Sequence, residues 1–252
     1  MVEVALAWAE SYRQVRPDVA VSLGGGGSQV GISGLINGTV DLANCSREFK
    51  PREIEAAKKA GREPMRHQVG WDGIAIYVHR DNPVRQITRS QLQAIYSDGG
   101  KVTRWSDMGI TLPSGDDEIV VISRQSNSGT YEYFREAVLG KEINFRLGTR
   151  DMNGSKDVVD LCSKVTSSIG YSGLSYATAE VRMVPVVNEK TEQPVMPTID
   201  SVLDRSYPIS RPLFMYTIGE PSGPTADYLQ WILSDDGQRV LLKRGYPPLR
   251  KL

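Results

Sequence analysis

The sequence predicts an α/β fold with a largely parallel sheet or sheets. Two observations carry this. Short apolar, β-branched runs alternate with helical periodicities almost to the C-terminus. Strand-like segments also run into small polar turns that open helices, with no repeat or low-complexity stretch between them. Met1, Val4, Ala5, Trp8, Tyr12 and Val15 share one helical face, which Pro17-Asp18 ends. VAVSL (19–23) alternates as a strand does. Four glycines and Ser28 then open a helix that Asn37-Gly38 stops. TVDLANC (39–45) reads as a strand, and Pro51 suits the first turn of a helix closing at Gly61.

GIAIYVH (73–79) is the next strand, and Thr88 with Gln91 has capping-box spacing ahead of LQAIY. KVTRWSDMGITLPSGDD is loop-rich. EIVVI, ending at Ile122, is a strand leading to RQSNSGT and a helix closed by Gly140. A helix at 156–165, strands within 167–176, 183–187 and 212–218, and two C-terminal helices complete the chain. The sharpest compositional seams, GWDGIAIYVHRDNPV and RMVPVVNEKTEQPV, mark crossings between two lobes. They give residues 1–74 with 183–252 as the first lobe and 75–182 as the second.

At 252 residues the chain suffices for one large or two small domains. Its 30 Lys+Arg balance 30 Asp+Glu, which argues against a nucleic-acid binder and leaves room for one small anion held by local donors. No apolar run approaches the roughly 20 residues of a membrane span. Met1 leads into VEVALAWAESYRQV, which reads as no signal peptide, so either the chain is cytosolic or a leader has been removed. Cys45 and Cys162 lack CxxC partners and read as buried free thiols. His67 and His79 show no ligand spacing, so no metal and no cofactor are expected.

Three turns are built alike: GGGGSQVG (24–31), NCSREF (44–49) and RQSNSGT (124–130). In open α/β sheets, ligands collect outside the carboxyl ends of strands. Helix N-termini offer unpaired N–H groups and partial positive charge, which an anion satisfies together. Glycine permits close backbone approach, hydroxyls add donors, and Arg124 offers a two-pronged charge-assisted bond. The alternative for each of Ser28, Ser46 and Ser128 is a plain helix cap.

GGGGSQVGISGLINGTVDLANCSRE, WDGIAIYVHRDNPV, ISRQSNSGTYEYF and SSIGYSGLSYA, in this order, resemble the phosphate-binding proteins of bacterial phosphate ABC transporters. The resemblance spans nearly the whole chain. It implies a two-lobed type II periplasmic-binding-protein fold with the ligand in a cleft between lobes. It also implies inorganic phosphate as ligand, a membrane permease as partner, no covalent chemistry, and a periplasmic or cell-surface lipoprotein location. By motif match, Arg124, Ser128, Gly129 and Thr130 bind from the second lobe, and Ser28 and Ser46 from the first.

Two departures stand out. Many relatives place an aspartate after the serine matching Ser46, to accept the proton of hydrogen phosphate; here that residue is Arg47, which accepts nothing. Asp72 is therefore the substitute acceptor, with Arg47 either touching phosphate or neutralising Asp72; the alternative for Asp72 is a turn or cap residue at a strand entry. The family's first strand, with its polar turn, is not found ahead of Met1. A monomer is expected, with a dimer or strand exchange as the alternative that this departure raises. Rival functions are a serine-dependent phosphate-ester hydrolase on the same turns, and a receptor for sulfate or molybdate.

Overall fold

The structure, a computed structural model, describes residues 1–252. In chain order its elements are α1 (Val2–Val15), α2 (Gly27–Asn37), β1 (Ala43–Cys45), α3 (Pro51–Lys59), β2 (Pro64–His79) and α4 (Arg89–Tyr96). There follow β3 (Val120–Arg124), α5 (Gly129–Phe134), β4 (Arg150–Met152), α6 (Ser155–Cys162), β5 (Ser168–Gly173), β6 (Val181–Val184) and β7 (Val186–Asn188). The chain closes with β8 (Gln193–Val195), α7 (Ile199–Leu203), β9 (Ser210–Ile218), α8 (Gly223–Leu233) and α9 (Asp235–Lys243).

Two compact units result. Unit 1 holds Met1–Asp72, Asn127–Gly129 and Arg211–Leu252; unit 2 holds Gly73–Ser126 and Thr130–Ser210. The first boundary falls two residues before the expected one. The second is displaced from 182/183 to 210/211, because the intervening segment pairs inside unit 2. There β6 lies beside β2, with Ile76 opposite Val184, and the Ile87 and Val187 amides bond to the Pro185 and Ile87 carbonyls.

Unit 1 is organised around β9, which lies between β1 and β2. Successive side chains of a strand face opposite sides. Leu213 and Met215 therefore pack with Val4, Trp8, Ile232 and Leu241 of α1, α8 and α9, while Phe214 and Tyr216 pack with Ile32 and Leu35 of α2, Cys45 and Phe49. A strand covered on both faces reads as a continuous apolar run, which is why PLFMY does not alternate. Trp8 is fully buried and its indole N–H donates to the Gly237 carbonyl at 2.7 Å, tying α1 to α9.

In unit 2 the strand order is β6, β2, β5, β3, β4. The α/β class holds, but the sheet is mixed rather than largely parallel. β2 runs antiparallel to β5 and β6, and β1 runs antiparallel to β9. The parallel ladders are those of β3 with β4 and with β5, strands that helical crossovers join. The core of this unit is aromatic: Phe134 stacks on Tyr171 at 3.8 Å and Tyr96 meets both rings edge-on. The Thr88–Gln91 box closes as read, the Gln91 amide donating to Thr88 Oγ1 at 3.1 Å.

The strand read over 73–79 extends back to Pro64, the one read over 183–187 divides into β6 and β7, and two others are lost or shortened. Residues 19–23 make no ladder, although their alternation is real: Val19 and Val21 pack on the unit 1 core, while Ala20 and Ser22 are exposed. The apolar pattern is satisfied by packing alone, and a strand also needs a neighbour's backbone. The strand read over 39–45 shrinks to Ala43–Cys45, since Thr39 continues the turn after Gly38, its amide bonded to the Gly34 carbonyl.

Trp8→Ala is expected to lower the unfolding free energy by about 3–5 kcal/mol, read from urea denaturation; Trp8→Phe, which keeps most of the volume and loses the N–H, costs less.

Candidate functional site

The glycine run has two distinct jobs. Gly26 and Gly27 take φ values of +111° and +83°, a region costly to any side chain with a Cβ. A Cβ on Gly27 would also stand 2.8 Å from the Asn127 carbonyl oxygen. This bare backbone lets residues 127–129 lie against the start of α2, where the Gln29 amide points to the Asn127 carbonyl at 3.4 Å. Gly24 and Gly25 face open space.

Ser28, Ser46 and Gly129 then meet at one point in unit 1. The Ser46 amide donates to Ser28 Oγ at 3.1 Å, and the two hydroxyl oxygens are 3.4 Å apart. A Cβ on Gly129 would come within 2.3 Å of Ser28 Oγ and 2.5 Å of Ser46 Oγ, so only glycine permits this approach. With Ser28 Oγ already accepting, at most one hydroxyl hydrogen serves the serine pair, and the other can turn to a ligand.

Beneath them lies a buried ion pair. Asp72 and Arg211 are 2% and 3% exposed. Arg211 Nη2 and Nε both donate to Asp72 Oδ2, at 2.9 and 3.3 Å. Arg211 Nη1 donates to the backbone carbonyls of Ser46 and Gly129, each at 3.0 Å. One guanidinium thus links the aspartate to two of the three groups that converge above. Asp72 Oδ1 is buried with no hydrogen-bond partner. Leaving a buried acceptor unpaired costs about 1–3 kcal/mol, so this oxygen suits a ligand that brings its own hydrogen.

Arg47, next to Ser46, pairs with Glu53 and not with Asp72. Its guanidinium grips both oxygens of Glu53 at 2.7 Å and the Glu48 carbonyl at 2.8 Å. Burial raises the Glu53 carboxyl, but the Arg47 bonds and the Lys50 amide outweigh it and hold it below the usual range. The partner of Asp72 is Arg211, which sequence reasoning missed. The signal was present: an arginine inside the entry of an apolar strand, SRPLFMY, needs a buried partner, and Asp72 directly precedes the apolar run GIAIYVH.

Arg124 and Thr130 belong to unit 2. Arg124 is the last residue of β3, not part of the turn. Its guanidinium donates to the carbonyls of Met152 at 3.2 Å and Asn153 at 2.8 Å and to Ser155 Oγ at 2.8 Å. Ser128, in unit 1, and Thr130 are both buried. Cys45 and Cys162 are free and buried, and burial pushes both thiols up to about 12. His67 pairs with Thr217 Oγ1 at 2.9 Å, and His79 Nδ1 accepts from the Asp81 amide. No group of His, Cys, Asp and Glu is arranged to hold a metal ion.

A family model described as a PBP superfamily domain matches residues 1–236. The phosphate-binding protein PstS of Pseudomonas aeruginosa is 36% identical, over 96% of this chain and 78% of its own length. Protein SphX of Synechococcus elongatus is 30% identical, over 98% and 74%. Among solved structures, a Clostridium perfringens protein designated a phosphate ABC transporter substrate-binding protein, with phosphate bound, superposes with a TM-score of 0.86 at 30% identity, covering 99% of this chain and 96% of its own. An ABC-type phosphate transport receptor from Vibrio cholerae gives 0.76 at 26% identity, covering 97% and 95%. The chain belongs to the PBP superfamily and, within it, to the PstS-like phosphate-binding proteins.

Gly129→Ala is expected to destabilise the chain by about 1–3 kcal/mol, measured by urea denaturation in anion-free buffer, because the methyl group must displace both serine hydroxyls.

Proposed function

We propose that this chain captures inorganic phosphate outside the cytoplasm, in the periplasm or at the cell surface, and delivers it to the membrane permease of a phosphate ABC transporter. The observation that carries the reading is the unpaired Oδ1 of Asp72, on a carboxylate tied through Arg211 to the Ser46–Gly129 backbone. Hydroxyls and amides suit any tetrahedral oxoanion. A buried carboxylate oxygen does not: against sulfate it makes a desolvated like-charge contact, while against hydrogen phosphate it accepts the P–OH. The names of the relatives at 36% and 30% identity, and the phosphate bound in the C. perfringens structure, support the same ligand. No helix is long and apolar enough to cross a membrane.

The proposed contacts in unit 1 are Ser28, Ser46, Ser128, Gly129 and Asp72; for Arg124 and Thr130, in unit 2, the support is the motif match alone. No covalent step is assigned. Both histidines are engaged with other partners, Thr217 and the Asp81 amide, which favours binding over serine-based hydrolysis.

Titration calorimetry on the purified chain, stripped of anion, is expected to show tight phosphate binding and far weaker sulfate binding. Ser46→Ala should weaken phosphate about tenfold, the loss of roughly 1.4 kcal/mol. Asp72→Asn should narrow the phosphate-to-sulfate ratio. Equal affinity of the wild-type chain for both anions, or turnover of a chromogenic phosphate ester, would contradict the proposal.

A further inference from the structure

We infer that Arg211 is the positioning residue for oxoanion selectivity: it presents Asp72 Oδ1 to the proton of the bound anion and holds the Ser46 and Gly129 backbone in place beside it. This deepens the phosphate reading and rests on it.

The geometry of the pair is the argument. An arginine facing a carboxylate commonly sets one prong on each oxygen. Here Nε and Nη2 converge on Oδ2 alone, and Oδ1 is left buried and unpartnered. The remaining nitrogen, Nη1, takes the carbonyls of Ser46 and Gly129. All three guanidinium nitrogens are therefore fixed on acceptors, and turning the carboxylate would break two bonds at once. The result is an acceptor of set direction with its charge balanced from the far side, so that Oδ1 takes a proton from a ligand without an unpaired anion being buried. A lysine cannot reproduce this, since its ammonium is a single point that cannot span Asp72 and two separate carbonyls.

The test is a double-mutant cycle read as the ratio of phosphate to sulfate affinity. Arg211→Lys alone is expected to narrow that ratio at least tenfold. In the Asp72→Asn background, Arg211→Lys is expected to change the ratio no further, because there is no acceptor left to position. A merely structural arginine predicts something else: both anions weaken together and the ratio stays constant. If Arg211→Lys does not fold, Asp72→Asn/Arg211→Gln removes both charges of the pair and is compared with Asp72→Asn; equal ratios support the inference, and a further narrowing overturns it. A wild-type chain that prefers phosphate while Arg211→Lys keeps the same ratio overturns this inference and leaves the functional reading standing. A wild-type chain that fails to bind phosphate overturns both.

Discussion

The site depends on one buried contact, the guanidinium of Arg211 against Asp72 and two backbone carbonyls. Burying a charge is costly unless it is paired and hydrogen-bonded. Arg211 and Asp72 meet that condition for each other with one exception, Oδ1, and the proposed phosphate contact falls on that exception. Because Nη1 also holds the Ser46 and Gly129 carbonyls, the pair fixes the turn after β1 and the start of α5 relative to the acceptor. Charge balance, loop position and acceptor direction thus come from a single side chain.

The glycines make the second constraint intelligible. The proposed binding point, built from two hydroxyls and a backbone stretch, requires that the backbone come closer than any Cβ allows, and Gly129 sits where a methyl group would overlap both serine oxygens. Gly27 does the same for the Asn127 carbonyl. Ser28 is not a helix cap: the residue capping α2 is Gly26, which has no side chain, and Ser28 lies inside the first turn with its oxygen turned to the Ser46 amide. The hydroxyls of Ser28 and Ser46 are arranged toward one another.

Much of the helical structure was legible because its signals are local: Pro51 at a first turn, the Thr88–Gln91 box, Gly38 as a left-handed stop. The turns carrying Ser28, Ser46 and Gly129 were legible too, since small residues at strand ends have few other uses in such number. What was not legible is pairing. The alternation at 19–23 gave the right burial and the wrong backbone state, because no sequence window contains a strand's neighbour. The direction of β2 against β5 and β6, and with it the mixed sheet, was hidden for the same reason. Arg211 escaped for a related one: it lies 139 positions from Asp72, and Arg47, beside Ser46 in sequence, looked the better partner until its bond to Glu53 was seen.

Glu53 and Asp72 are alternative acidic partners for two arginines, and the fold sorts them by location. Arg47–Glu53 secures the N-terminus of α3, where the same carboxylate takes the Lys50 amide. Arg211–Asp72 keeps an oxygen in reserve. The most direct measurement is neutron diffraction of the phosphate complex in deuterated buffer. The account predicts a deuteron lying between a phosphate oxygen and Asp72 Oδ1, with Arg211 still on Oδ2. Phosphate bound with Asp72 outside hydrogen-bond reach, or a carboxylate turned so that both its oxygens face Arg211, would contradict it.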